Sequence, residues 1–159
     1  MKFTDTEIEF LRESNAIEGV FDDDSLKQAM YAWEYLISQD VLNTSIILKT
    51  HKILMLHQPL QPNEKGYFRK IDVMVGGRVC MHPLEISGRI WAWCLETMRK
   101  YPQVDPKELH VLYEKIHPFV DGNGRTGRLF FNWTRIKRCN LTILVIKSDE
   151  RQSYYEWFN

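Results

Sequence analysis

Twelve consecutive residues carry the densest chemistry of the chain: His117, Pro118, Phe119, Val120, Asp121, Gly122, Asn123, Gly124, Arg125, Thr126, Gly127 and Arg128. An imidazole such as that of His117 has an unperturbed pKa near ~6.5, so it can take and return a proton at neutral pH. Asp121 offers the carboxylate oxygens that suit a magnesium ion bridging phosphates. Gly122-Asn123-Gly124 lies between two helical patterns, where glycines let successive N–H groups point inward as an anion nest. A helix starting near Gly124 would add its positive dipole end to the same place. Arg125 and Arg128 then share a helix face and can grip neighbouring phosphates bidentately. Singly, a Gly-x-Gly turn or an arginine pair is more often structural. Together, a base, a metal carboxylate and a phosphate cradle point to phosphoryl or nucleotidyl transfer.

The stretch resembles the Fic family motif, H-x-F-x-[D/E]-G-N-G-R-x-x-R, and matches it at every fixed position. The resemblance implies a protein adenylyltransferase that moves AMP from ATP to a Ser, Thr or Tyr hydroxyl of a protein target. In that reading His117 deprotonates the hydroxyl and Asp121 holds Mg2+. Gly122, Asn123 and Gly124 bind the inner phosphates, and Arg125 and Arg128 the outer ones. A second stretch, Ser14-Asn15-Ala16-Ile17-Glu18-Gly19, resembles the family's inhibitory motif, [S/T]-x-x-x-E-[G/N]. Its place before the main motif resembles the class whose inhibitory helix lies on the N-terminal side of the same chain. The implied roles are Glu18 paired with Arg128, Ser14 and Gly19 framing it, and a γ-phosphate kept from its seat. Alternatives on the same scaffold are removal of AMP, with Glu18 positioning water, and a non-catalytic nucleotide-binding regulatory module. Intact His117 and Asp121 argue against the last. No Gly-x-x-x-x-Gly-Lys-[Ser/Thr] stretch exists to support a P-loop kinase.

Two further sets follow from the resemblance. Residues 66–82 hold the chain's hairpin signal: Ile71, Val73 and Val75 alternate with Asp72 and Met74 before Gly76-Gly77. In the family a hairpin so placed is the flap, which docks the target segment by strand addition. Tyr154 and Tyr155 match tyrosines that wall the adenine pocket, although the chain ends at Asn159, where the family helix usually continues. Self-modification and a homodimer covering the inhibitory helix are also implied.

These residues need a scaffold. The chain has 159 residues, 44% of them hydrophobic and 13% aromatic, enough for one domain over 1–159 with a real core. Lysine plus arginine equals aspartate plus glutamate at 21 each, which disfavours a nucleic-acid partner. Cys80, Cys94 and Cys139 form no Cys-x-x-Cys pair and read as incidental thiols of a reducing compartment. The polar, acidic start from Met1 to Glu7 is no secretory signal. No apolar run approaches the ~20 residues of a membrane span, so a soluble cytoplasmic protein is expected.

The periodicity predicts an all-α fold of about seven helices around a central helix-loop-helix, with one β-hairpin flap. Thr4 and Glu7 form a capping box for the inhibitory helix, about 4–18, which Gly19 ends. Asp22-Asp23-Asp24 precedes a helix with a second capping box at Ser25 and Gln28, running to about Gln39. Ile46 to Leu56 forms the next, and Pro59 and Pro62 break the pattern. Pro83 starts a helix to about Tyr101, with Ile86, Ile90, Trp93, Leu95 and Met98 as core and Gly88 either packing closely or weakening it. Asp105-Pro106 opens a helix that carries Leu109, Leu112, Tyr113 and Ile116 and delivers His117. His110, Glu114 and His117 have a spacing that invites a zinc reading, but no second such pair accompanies them. His51, His57 and His82 read as structural. Leu129, Phe130, Trp133 and Ile136 continue a helix whose last turn holds Arg135, Lys137 and Arg138. Residues 141–146 read as a buried extended connector, and 150–158 as a last helix.

Overall fold

Five helices of the computed structural model, which describes residues 2–100 and 102–159, open on a side chain that caps them. Thr4 caps α1 (Asp5–Ile17) with the full capping box to Glu7. Asp22 caps α2 (Asp23–Ile37) by accepting from the Ser25 N–H. The cap thus lies three residues before the expected Ser25, because a carboxylate accepts more strongly than a hydroxyl. Asn43 caps α3 (Thr44–Leu54). β1 (Met74–Val75) and β2 (Arg78–Val79) pair antiparallel across Gly76-Gly77. Both glycines have positive φ, 55° and 78°, as a type I′ turn requires. His82 caps α4 (Pro83–Thr97), and Asp105 caps α5 (Pro106–Ile116). α6 (Asn123–Cys139) differs: Gly122 precedes it and provides no side-chain cap. A short α7 (Arg151–Tyr155) lies between two 3-10 turns.

The fold is all-α with one small hairpin. α6 is its axis. Ten of its residues from Arg125 to Thr134 are buried, polar and apolar alike. A helix hydrophobic on one face would leave the other to water; this one is enclosed by α1, α2, α3 and α5. Trp93, Tyr113 and Phe130 meet at ring-centroid distances of 5.2 to 5.9 Å and lock α4, α5 and α6 together. Each such ring contributes roughly 1.5–3 kcal/mol by burial. Trp33 and Trp133 are fully buried, their indole N–H groups donating to Glu7 and to the Gln39 carbonyl.

Several expectations are corrected. On α4, Leu95 is 52% exposed, and Cys94 and Thr97 face the core in its stead. The buried stripe there runs Ile86, Ile90, Trp93, Thr97, which is the helical period. α4 ends at Thr97, and Tyr101 lies outside the described residues. Gly88 faces open space, so no close packing explains it. Leu112 is exposed on α5. The connector 141–146 forms neither helix nor strand and is only partly covered, with Leu141 and Leu144 exposed. Among the described residues, no helix is long and apolar enough to cross a membrane.

Candidate active site

α5 ends by turning its last residue outward. His117 is its C-cap in the left-handed region, φ 50° and ψ 64°. A non-glycine residue there costs ~1 kcal/mol or more and needs outside support. Arg69 supplies it. Its Nε donates to the His117 carbonyl at 2.7 Å, and its two other nitrogens donate to the carbonyls of Ile71, Met81 and Ile116. The Arg69 main-chain N–H donates to the Pro118 carbonyl as well. One buried guanidinium therefore ties both flanks of the hairpin to the loop that holds His117. The sequence placed Arg69 on the approach to the hairpin but assigned it no such role. Its only signal was an arginine between Phe68 and Lys70, and nothing local says that it turns inward.

The loop from Pro118 to Gly122 is pinned at three points. Asn123 uses its whole side chain on Phe119, accepting from the N–H at 2.8 Å and donating to the carbonyl at 2.9 Å. In this structure the side chain fastens the loop, and the main-chain N–H of Asn123 is the group that opens α6. Phe119 stacks on His51 with ring centroids 3.6 Å apart and an 8° tilt. The Gly66 N–H donates to His51 Nδ1, so the proton sits on Nε2, which donates to the Asp121 carbonyl at 2.9 Å. Burial pushes the His51 pKa down to about 4, in keeping with the structural role expected of it. Gly122 has φ 81°, and a Cβ there would lie 2.6 Å from Met55 Sδ. Both conditions demand glycine.

α6 then begins at Asn123, one residue earlier than expected, with no side chain capping its first N–H groups. Such donors are available to an anion. Asp121 stands at the rim, its side chain 59% exposed and 3.6 Å from Arg125 Nη2. Its Oδ1 accepts the Gly122 N–H. Arg125 is almost wholly enclosed, its Nε has no partner, and burial holds its pKa below the usual value.

Arg128 is the most enclosed charge, 1% exposed. Its Nε donates to Ser14 Oγ and its Nη2 to the Ser14 carbonyl, both at 2.9 Å. Nη2 also reaches Glu18 Oε1 at 2.8 Å, and Nη1 the Tyr154 hydroxyl at 3.3 Å. Burial opposes its charge, but Tyr154 and Glu18 outweigh burial and hold its pKa above the ordinary value. Glu18 is the C-cap of α1, and Gly19 follows at φ 71°. A Cβ on Gly124 would sit 2.3 Å from Glu18 Oε1. The glutamate thus lies against the first turn of α6, where an anion would lie.

Tyr154 and Tyr155 part company. Tyr154 is 3% exposed and bonds His110 Nε2 at 2.8 Å, so it anchors Arg128 while its edge borders the cavity. Tyr155 is 41% exposed and faces a cavity of about 750 Å³. His117, Gly124, Arg128 and the hairpin's Val75 border the same cavity, a size that suits a small-molecule ligand. Of the expected flap, only Met74 and Val75 form a strand; Ile71, Asp72 and Val73 lead into it, and the Cys80 N–H donates to the Val73 carbonyl. Ile71, Met74 and Val79 are exposed, because two-residue strands with no sheet behind them have no inner face.

Beneath His117 lies Glu114, with Oε2 3.7 Å from His117 Nδ1. Burial pushes its pKa up to about 7, with Arg128 opposing and Glu18 adding to the rise. Burial and then Arg69 hold the His117 imidazole below its usual value, against the Glu114 main-chain carbonyl, Glu18 and Asp121. His110 points elsewhere, to Tyr154, so the three residues of the zinc spacing do not converge. Among the described residues no group of three or more His, Cys, Asp or Glu side chains could hold a metal ion alone.

A model of the Fic/DOC family matches residues 41–134. A protein adenylyltransferase Fic of Culex quinquefasciatus is 31% identical over 123 residues, 74% of this chain and 24% of that protein. The protein of the same name from Nematostella vectensis is 30% identical over 153 residues, covering 92% of this chain and 34% of itself. The chain thus spans about a quarter to a third of these relatives. The crystal structure of a Fic family protein from Desulfovibrio desulfuricans G20 has a TM-score of 0.77 at 21% identity, over 95% of this chain and 55% of that one. Fic-1 of C. elegans gives 0.79 at 20% identity, over 97% and 55%. These two likenesses concern the fold.

Proposed function

Since this chain belongs to the Fic/DOC family, we propose that it transfers AMP from ATP to a hydroxyl side chain of a protein, and that Glu18 restrains the transfer. The observation that carries the reading is the common cavity of His117, Gly124, Arg128 and Tyr155. A triphosphate laid along the start of α6 puts its inner phosphates at the uncapped N–H groups of Asn123 and Gly124. Arg125 and Arg128 neutralise its outer phosphates. The hairpin offers main-chain groups beside His117, where a target strand would bring its hydroxyl. His117 takes the hydroxyl's proton as the oxygen attacks the α-phosphorus. Holding these groups in line is most of the catalytic task, since phosphoryl-type transfers need positioning and charge stabilisation above all.

Magnesium fits as the accompanying ion. One half-exposed carboxylate, Asp121, beside a phosphate cradle is a donor set that Mg2+ accepts when phosphates and water complete its shell. When bound, the ion would neutralise phosphate charge. The reading takes residues 1–159 as one catalytic domain with α1 as its own inhibitor. Relatives named protein adenylyltransferase support the chemistry. Three free thiols suit a reducing compartment, so the reading places the reaction in the cytoplasm.

The test is intact-mass spectrometry after incubation with ATP and magnesium. Addition of one AMP to the Glu18→Gly protein, and none to its His117→Ala derivative, is the expected result. ATP binding by calorimetry with no transfer to itself or to any added protein would leave only a nucleotide-binding module.

A further inference from the structure

Glu114 is a largely enclosed carboxylate, its side chain 16% exposed, that the proposed chemistry leaves unused. Its Oε1 is buried with no hydrogen-bond partner. Its Oε2 faces His117 Nδ1 at 3.7 Å, and that nitrogen too is buried and unpartnered. The two orphaned groups are three residues apart, at the end of one helix, and they face each other. Room for the carboxylate is made by Gly127. A Cβ there would lie 2.4 Å from Glu114 Oε1 and 2.8 Å from His110 Cε1. Gly127 stands outside the fixed positions of the phosphate motif, so its absent side chain serves Glu114 and His110.

We propose that Glu114 is a positioning residue for His117, holding its Nδ1–H so that Nε2 keeps the free lone pair that receives the target's proton. The proposal rests on the adenylyl-transfer reading above. The target oxygen forms a bond to the α-phosphorus, the bond from that phosphorus to the leaving pyrophosphate breaks, and pyrophosphate departs with the electron pair. The hydroxyl proton passes to His117 Nε2. The imidazolium so formed carries its second N–H at Nδ1, opposite the Glu114 carboxylate. A separation of 3.7 Å shortens to a hydrogen bond with a small ring rotation, as catalytic contacts often do once substrate is seated.

Other groups act on the same pair. His117 is faced by Arg69 from the hairpin approach, Glu18 from the end of α1 and Asp121 from its own loop. Glu114 is faced by Arg128 of α6, by Glu18, by Tyr113 and by Tyr154 of α7, with Cys80 beyond β2. The main-chain carbonyl of Glu114 also faces Nδ1, so it is the rival acceptor. Removing only the carboxylate charge separates the two. Burial is the largest cause of both the lowered His117 pKa and the raised Glu114 pKa, so the imidazole enters the step as the neutral base it needs to be.

The experiment compares Glu114→Gln and Glu114→Asp in the Glu18→Gly protein. Nitrogen NMR of His117 reads tautomer and titration without ATP, so it stands whether or not AMP transfer is found. With Glu114 intact, the Nδ1–H tautomer is expected. In Glu114→Gln the His117 pKa should fall, AMP transfer should drop about tenfold or more, and the acid limb of its pH profile should move lower. The KM for ATP should hold within about twofold, and Glu114→Asp should recover part of the rate. An unchanged His117 tautomer and titration in Glu114→Gln would overturn the proposal, whatever the activity. So would a rate loss seen only as a higher KM. Transfer absent from every variant, with the NMR shift present, would count against the adenylyl-transfer reading alone.

Discussion

Glu18 Oε1 lies 2.8 Å from Arg128 Nη2 and also fills the space that a Cβ on Gly124 would need. The pair is uneven: the Arg128 side chain is 2% exposed, that of Glu18 37%. Arg128 keeps Ser14 and Tyr154 as partners if Glu18 leaves. Loss of the glutamate therefore frees a site while the guanidinium keeps three hydrogen bonds. Glu18→Gly is expected to raise AMP transfer from labelled ATP about tenfold or more, while stability changes by only ~1 kcal/mol, as for a partly solvated ion pair. Arg128→Ala should abolish transfer and cost ~3 kcal/mol or more in urea titrations, because Glu18 and Ser14 lose a buried partner. Equal labelling by the wild type and Glu18→Gly proteins would dispose of the restraint.

Gly124→Ala distinguishes release from access. Its Cβ would meet Glu18 Oε1 at 2.3 Å and Arg128 Nη1 at 3.0 Å. The methyl group displaces the glutamate but occupies the place a phosphate needs. Calorimetry should find ATP affinity lowered about tenfold even when Glu18 is replaced by glycine. Undiminished affinity would show that phosphate does not approach this turn of α6.

Arg69→Lys tests the clamp on His117. Lysine retains the charge but cannot reach the carbonyls of Ile71, Met81, Ile116 and His117 together. A stability loss of ~3 kcal/mol by chemical denaturation and a loss of transfer are expected, since bonds to a charged donor are worth ~1.5–3 kcal/mol each and some are replaced. Full activity in the Arg69→Lys protein would mean that His117 keeps its left-handed backbone unaided.

Acidity should act on stability with two opposite signs. Burial pushes His51 down to about 4 and His110 to about 3. Unfolded histidines, with pKa near ~6.5, bind protons that the folded ones refuse. Their contribution is whole above pH ~6.5 and falls as the pH drops toward about 4, by up to ~1.4 kcal/mol per pH unit for each histidine. Glu114, raised to about 7, runs the other way. Its contribution is present below the unfolded carboxyl value and is lost as the pH rises through about 7. Glu114→Gln should thus melt higher than wild type at about pH 8, by the equivalent of roughly 1–3 kcal/mol, and nearly alike at about pH 5. Melting curves at the two values decide it.

Much of this was legible in the chain of residues because local rules fixed it. The cap at Thr4, the Asp105-Pro106 start and the glycine pair of the hairpin act over a few positions, and they stand where read. The facing of Glu18 and Arg128, 110 positions apart, was visible only through the resemblance of two motifs, since no periodicity links them. Arg69, Glu114 and Tyr154 were not legible in these roles. Each is a polar side chain turned inward by packing of distant elements, and a sequence pattern treats such residues as solvent-facing. Leu95 and Leu112 failed in the opposite sense, apolar residues left outside because the core stripes were already filled.

α6 has Gly124 and Gly127 in its first two turns, with Asn123 and Thr126 beside them. Each glycine weakens a helix by ~1 kcal/mol relative to alanine, and a segment of that length is marginal alone in water. A free peptide of residues 123–139 should therefore be mostly coil. The turn that receives phosphate is thus shaped by its neighbours, Met55 below and Glu114 alongside. Nucleotide binding and assembly of the interior are one equilibrium here, so a bound triphosphate should lift the melting temperature of the entire domain.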